Sequence, residues 1–102
     1  MPSTHLQLLV MFGQKKVLGK LIAEGKCDVN EKDEHNTSLV HMASIQNNMD
    51  ILQQLVGAGA RVDVIDDFKQ TPLSIATEKG HTEVAKYIEE TLEGYRRGGP
   101  GS

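Results

Sequence analysis

One short apolar pattern occurs three times in this chain at a nearly constant spacing. It reads THLQLL at residues 4–9, SLVHMA at residues 38–43 and TPLSIA at residues 71–76. Matching positions are 34 residues apart between the first two copies and 33 apart between the last two. A period of this size indicates stacked units, each too small to bury its own apolar face. We therefore expect an elongated stack with an extended surface, not an enzyme built around a pocket.

Each copy predicts two antiparallel helices joined by a tight turn. In the last copy the Thr71 hydroxyl is placed to cap the first helix, and Thr82 is placed to cap the second. Gly80 allows the first helix to end in a left-handed residue. Gly13 and Asn47 stand at the same point in the other two copies, where Asn is the next-best residue after Gly.

Apolar residues at helical spacing define the core-facing side of each second helix. They are Val17, Leu18, Leu21 and Ile22 in the first copy, Ile51, Leu52, Leu55 and Val56 in the second, and Val84, Ala85, Ile88 and Leu92 in the third. The segment that links one copy to the next also recurs, since Val29, Asn30 and Asp33 match Val62, Asp63 and Asp66. This pattern predicts an extended connector that contains a turn.

With these elements in register, the chain resembles the ankyrin repeat family. The family's T-P-L-H-x-A helix start, G-H turn and G-A-D-V-N-x-x-D hairpin correspond to residues 71–76, 80–81 and 59–66. The resemblance implies an all-α ankyrin-repeat solenoid of three helix-turn-helix units joined by β-hairpin-like loops. It also implies that His41 ties neighbouring loops together by hydrogen bonds. Asn36 and Lys69 occupy the hairpin position where the family commonly has glycine.

The predicted domain organisation follows the repeats. The ankyrin repeat domain spans residues 4–93, with repeats at about 4–37, 38–70 and 71–93. Residues 1–3 form an N-terminal extension and residues 94–102 a flexible C-terminal tail, since the tail is rich in glycine and arginine.

Composition narrows the classes of partner and location. The net charge of −3 disfavours nucleic acid, because phosphate contacts need a basic face. No apolar run approaches the roughly 20 residues that span a bilayer, and no signal peptide is visible, so no membrane association is expected. The single cysteine cannot form an internal disulfide. We therefore expect a cytoplasmic or nuclear protein.

The sequence offers no catalytic, metal or cofactor site. The histidines fall on repeat positions that have a structural explanation, and no zinc-type pair such as C-x-x-C occurs. Cys27 aligns with Ala60, which predicts a small, buried residue in the connector. No nucleophile elbow or phosphate loop is present either. The chain is expected not to be an enzyme.

The ankyrin resemblance implies a protein-binding concave face made of the hairpin tips and the outer side of the first helices. The residues carried onto that face are Met11, Phe12, Glu34, His35, Thr37, Ile45, Gln46, Asp67, Phe68, Gln70, Glu78 and Lys79. Four large apolar residues among them, Met11, Phe12, Ile45 and Phe68, are predicted to be exposed, as an interaction site requires. The alternative is that Phe12 folds back on the first turn and Phe68 packs on its own hairpin. The acidic residues favour a partner segment with Lys or Arg nearby.

The first helix raises a separate question, because residues 6–12 are nearly all apolar whereas a terminal repeat needs a polar outer face. Residues 1–4 cover it, or another chain does, or further repeats precede it. The predicted function is a non-catalytic module that binds another protein, as an adaptor or a stoichiometric inhibitor. There are two alternatives. One is a self-assembling structural module that forms a homo-oligomer through its apolar first helix, at residues 6–12, and the other is a regulatory fragment of a larger multidomain protein.

Overall fold

The computed structural model describes residues 4–25 and 27–97 of the chain. The helices in this part are α1 (Thr4–Met11), α2 (Lys15–Ala23), α3 (Leu39–Gln46), α4 (Met49–Gly57), α5 (Pro72–Lys79) and α6 (Thr82–Arg96). Each odd-numbered helix pairs with the helix that follows it. The odd helices also contact one another in order, as do the even ones, so the three pairs stack into two layers. The predicted all-α repeat architecture is confirmed.

The first helices of the second and third repeats begin and end as their sequences predict. Ser38 and Thr71 cap α3 and α5, and each accepts a hydrogen bond from the amide three residues on. Asn47 and Gly80 end these helices in the left-handed conformation, with φ of 57° and 74°. Gly13 has φ of 66° at the corresponding turn of the first repeat.

Two helix starts differ from the prediction. Thr82 does not cap α6, because it is already the first helical residue and His81 stands at the cap. The His81 ring is used elsewhere, since Nδ1 donates to the Ser44 carbonyl oxygen at 2.8 Å. In the second repeat the cap of α4 is Asn48, which accepts from the Ile51 amide at 3.2 Å. Helix α6 therefore starts without a side-chain cap, and the His81 side chain instead links the third repeat to the second.

The two hairpin loops have the same construction. In the first, the Asp33 carboxylate accepts the His35 and Thr37 amides at 2.8 and 2.9 Å. In the second, Asp66 accepts the amides of Phe68 and Gln70, both at 2.9 Å. Asn36 and Lys69, at the position where glycine is common, have φ of 61° and 64°. The aspartates hold these loops closed despite the missing glycines.

Hydrogen bonds also join consecutive connectors. The Asn30 side chain accepts the Arg61 amide at 2.8 Å and donates to the Gly59 carbonyl oxygen at 3.3 Å. His41 performs the linking role that the resemblance implies. Its Nδ1 accepts the Ser38 amide at 3.1 Å, so Nε2 carries the hydrogen and donates to the Gln70 carbonyl oxygen at 2.8 Å. His41 is fully buried, so this bond fixes the second hairpin on α3.

The core runs between the layers and consists mainly of aliphatic side chains. Those fully or almost fully buried include Val10, Leu18, Leu39, Val40, Ile51, Leu52, Leu55, Val62, Val84 and Ile88. The prediction for Val17 is wrong, because its side chain is exposed and does not lie on the core-facing side of α2. Helix α6 also exceeds the predicted domain end at residue 93, as it continues to Arg96. Residues 1–3 and 98–102, which belong to the predicted extension and tail, lie outside the described residues.

Candidate protein-binding surface

We call the elements that carry the predicted contact residues the inner face. It consists of the C-terminal ends of α1, α3 and α5 together with the hairpin loops 33–37 and 66–70. Repeat register places Met11, Ile45 and Glu78 in one row across this face. Phe12, Gln46 and Lys79 form a second row beside it. The face therefore changes from apolar on the first repeat to charged on the third.

The four large apolar residues of the inner face are all exposed, as predicted. The exposed fraction is 50% for Met11, 69% for Phe12, 44% for Ile45 and 65% for Phe68. These values rule out the alternative that Phe12 folds back to bury itself on the first turn. Large apolar side chains gathered on one face are typical of interaction sites.

Phe68 lies beside the neighbouring hairpin tip. Its ring centroid is 5.8 Å from that of His35, and the rings are tilted by 46°. The backbones meet at the same place, since the Asp67 amide donates to the His35 carbonyl oxygen at 2.9 Å. Asn36 adds a 2.8 Å hydrogen bond from its Nδ2 to the Asp67 carboxylate. The two tips therefore present one continuous surface.

Two of the predicted contact residues serve the hairpins themselves. The Thr37 carbonyl oxygen accepts from the Asp33 amide, and the Thr37 amide donates to the Asp33 carboxylate. The Gln70 carbonyl oxygen accepts from both the Asp66 amide and His41. Both side chains are only half-buried, so they still contribute surface. Glu34, Gln46, Glu78 and Lys79 are exposed.

A pocket of about 240 Å³ opens on the inner face between the first two repeats. Its lining residues are Met11, Asp33, Thr37, Met42, Ile45 and Gln46. Sequence reasoning missed two of them, Met42 and Asp33. Met42 occupies a core position in the repeat, and Asp33 was assigned only to the turn. The signal that could have found them is their register, since both flank predicted contact residues on the same elements.

Cys27 does not have the surroundings of a reactive thiol. It is half-buried, whereas its counterpart Ala60 is buried as predicted. Its partial burial, together with the nearby Glu31 and Asp28, raises the pKa of its thiol. A reactive thiolate needs the opposite, a cationic setting that lowers the pKa. Among residues 4–25 and 27–97, no three His, Cys, Asp or Glu side chains come together as a metal site would require.

Comparison with known proteins decides the family. Residues 4–94 match the family model described as ankyrin repeats in three copies. The chain belongs to the ankyrin repeat family. As an ankyrin repeat protein it carries a protein-interaction module, and the inner face is the surface on which ankyrin resemblance placed the contacts.

Curated relatives include proteins of different kinds. The chain is 36% identical over 84 residues to cyclin-dependent kinase 4 inhibitor B of Bos taurus, a match that covers 81% of this chain and 63% of that protein. It is 38% identical over 61 residues to the palmitoyltransferases ZDHHC17 of Homo sapiens and Hip14 of Drosophila melanogaster. These matches cover 59% of the chain but only about a tenth of each palmitoyltransferase. None of the helices described is both long and apolar enough to cross a membrane.

Proposed function

We propose that this ankyrin repeat module is non-catalytic and binds a partner protein through its inner face, as an adaptor or a stoichiometric inhibitor. The observation that carries the proposal is the set of four exposed apolar side chains on that face. They do not stabilise the stack, because the core lies between the helix layers. A relative whose name describes it as a kinase inhibitor agrees with a role by binding. The proposed location is the cytoplasm or the nucleus.

The hairpin loops support the proposal because they hold the face in one shape. Asp33 and Asp66 each close a loop with two amide hydrogen bonds, and His41 ties the second loop to α3. A surface that is already ordered loses less conformational entropy on binding. The exposed aromatic and aliphatic side chains then supply the contact energy.

Photo-cross-linking in native cells tests this function. Benzoylphenylalanine is placed at Ile45 in one variant and at Val17 in a control, because both residues are 44% exposed. We expect a stoichiometric adduct with one protein from position 45 alone. Equal labelling from both positions, or labelling from position 17 alone, contradicts the proposed face.

The first repeat favours a second candidate function, self-association of the chain. Leu8 and Val17 are exposed on its outer side, whereas the equivalent Met42 and Ile51 of the second repeat are buried. Leu6, Leu9 and Val10 of the predicted interface at residues 6–12 are buried in the core, so they are not available to another chain. A second copy would cover the exposed Leu8 and Val17. Sedimentation velocity over a range of micromolar concentrations tests the idea. A mass that rises with concentration in the wild type but not in Leu8→Asp supports it, and a constant monomer mass removes it.

The third candidate is a regulatory segment of a larger protein. The palmitoyltransferase relatives favour it, because the matched stretch forms only a small part of each of them. Sequencing of the full transcript tests this directly. An open reading frame that continues into a further folded domain supports the idea, and one that encodes only the repeats contradicts it.

A further inference from the structure

The 240 Å³ pocket of the inner face has the size and lining of a socket for one partner side chain. It is smaller than the roughly 300 Å³ at which sites for small molecules begin. Met11, Met42 and Ile45 supply its apolar wall. Methionine side chains adapt their shape to what they contact, which suits a site that receives an apolar group. We call it the Met11–Ile45 pocket.

The surrounding helix and hairpin fix the shape of the pocket. Met42 is only 8% exposed, so α3 fixes the floor of the pocket in the core. The Asp33 carboxylate orders the hairpin at the rim through its two amide hydrogen bonds, both to Oδ1. Ile45 lies in the last turn of α3, two residues before the left-handed Asn47. The floor and one rim are therefore placed before any partner arrives.

The described lining of this pocket carries a negative charge. Asp33 is the only ionisable residue among the described lining residues, and none of the described residues donates a hydrogen bond to its second oxygen, Oδ2. Glu34 follows it on the hairpin and is exposed. Lys32, the nearest basic residue in sequence, is not part of the lining. The basic residues of the inner face, Lys69 and Lys79, belong to the second hairpin and the third repeat.

Resting on the proposed function, we infer that the Met11–Ile45 pocket takes one apolar side chain from a partner segment that carries Lys or Arg beside it. The apolar group fills the methionine-lined cavity, and the cation pairs with Asp33 and Glu34 at its rim. A neutral or acidic neighbour loses this pairing, because opposite charges across an interface set specificity. The occupant is a peptide segment of another protein.

Selection from a random peptide library displayed on phage tests this inference. The library is selected on the wild-type protein and depleted on the Ile45→Asp variant. We expect enrichment of peptides in which Leu, Met, Ile or Phe lies within four residues of Lys or Arg. Enrichment of apolar residues beside Asp or Glu, or no enrichment at all, overturns the inference.

Matched variants then test the two parts of the pocket with a fluorescein-labelled enriched peptide. Ile45→Asp should weaken binding about tenfold or more, while Val17→Asp, at an equally exposed site off the inner face, leaves it unchanged. Asp33→Asn should weaken binding about three- to fivefold at low salt, because the amide oxygen still closes the hairpin but the charge is gone. Asp66→Asn makes the same change in the second hairpin, outside this pocket, and should weaken binding less than Asp33→Asn does.

The outcomes separate this inference from the proposed function. If Asp33→Asn and Asp66→Asn weaken binding equally, the effect comes from hairpin structure and the charge pairing is wrong. If Ile45→Asp binds the peptide as tightly as the wild type does, the peptide does not occupy the pocket and the inference is wrong. The proposed function survives either result as long as the native partner still cross-links to position 45, and it fails if that adduct is absent.

Discussion

The first and third repeats share one plan but meet solvent differently at the two ends of the stack. Leu8 and Val17 of the first repeat are 43% and 44% exposed. Ile75 and Val84 hold the same repeat positions in the third repeat and are almost fully buried, because the preceding repeat covers them. Burial in a repeat protein is therefore set by neighbours as much as by residue type.

The third repeat, at the other end of the stack, has a polar outer side. Thr77, Lys86 and Glu89 give the third repeat a polar outer side. Helix α6 has 15 residues, against nine for α2, and its last turns fold onto the second connector. There Tyr95 accepts the Val62 amide at 3.3 Å, and the Arg61 guanidinium lies 4.2 Å from the centre of its ring. The third repeat thus ends in polar side chains and an anchored helix, while the described part of the first repeat exposes apolar side chains.

The largest expected effect compares two equivalent valines. Val84→Ala should lower the free energy of unfolding by about 2 kcal/mol, because it removes two buried methyl groups and leaves a cavity. Val17→Ala removes the same atoms from an exposed site and should change it by less than about 0.5 kcal/mol. Urea denaturation of both variants checks the comparison. Equal losses would mean that something covers Val17 in solution.

A smaller effect tests the closure of the third repeat. Tyr95→Phe should cost about 1 kcal/mol, because the Val62 amide loses its acceptor while the ring stays in place. Tyr87→Phe is the matched control, since no described residue bonds to the Tyr87 hydroxyl. Thermal unfolding measures both. A loss in the control as large as that of Tyr95→Phe contradicts the assigned role.

Two glycines inside helices give a further comparison between the first and the third repeat. Gly94→Ala in α6 should stabilise the protein by about 0.5–1 kcal/mol, because nothing lies within 4 Å of the added methyl group. Gly19→Ala in α2 should give almost no gain, since its methyl group would lie 3.0 Å from the Gln54 amide nitrogen. That amide donates to the Lys15 carbonyl oxygen at 3.0 Å and would have to move.

The double variant completes this test. Combined with Gln54→Ala, the Gly19→Ala change should recover the gain seen at Gly94, because the obstructing amide is gone. Denaturant midpoints of the four proteins report the coupling. A full gain from Gly19→Ala alone would show that Gln54 does not hold the first two repeats together.

The smallest expected effect depends on pH. The hydrogen bond from Arg61 holds the pKa of Asp63 below its usual value. A lowered folded-state pKa adds stability above the unfolded pKa of about 3.9, and this is lost as the pH falls through the folded value. Because the pair is exposed, Asp63→Asn should lower the Tm by no more than about 2 °C at neutral pH. The difference should vanish near pH 2, and a constant difference would point to another cause.

Local signals in the sequence were enough to predict the fold. The Thr71 cap and the left-handed Asn47 and Gly80 follow from the chemistry of single residues. The left-handed hairpin positions Asn36 and Lys69 were identified through the ankyrin resemblance. The exposure of the inner-face residues also followed, because none of them was needed for stacking.

Features that depend on distant contacts could not be predicted in the same way. Tyr95 contacts Val62 across 33 residues of sequence. The predicted tail began at residue 94, whereas helix α6 continues to Arg96. The apolar helical spacing placed Val17 on the core side of α2, yet among the described residues no preceding repeat covers it. The Met11–Ile45 pocket likewise forms only where three elements meet.

The central claim, that the inner face binds a partner protein, is tested most directly by calorimetry with the protein identified by cross-linking. The double variant Ile45→Asp with Phe68→Ala removes two exposed apolar contacts from the inner face, and Leu8→Asp with Val17→Ala does the same at the open end. We predict that the first double variant weakens the Kd by about a hundredfold and that the second leaves it unchanged. An unchanged Kd for the first variant, or a loss confined to the second, would contradict the claim.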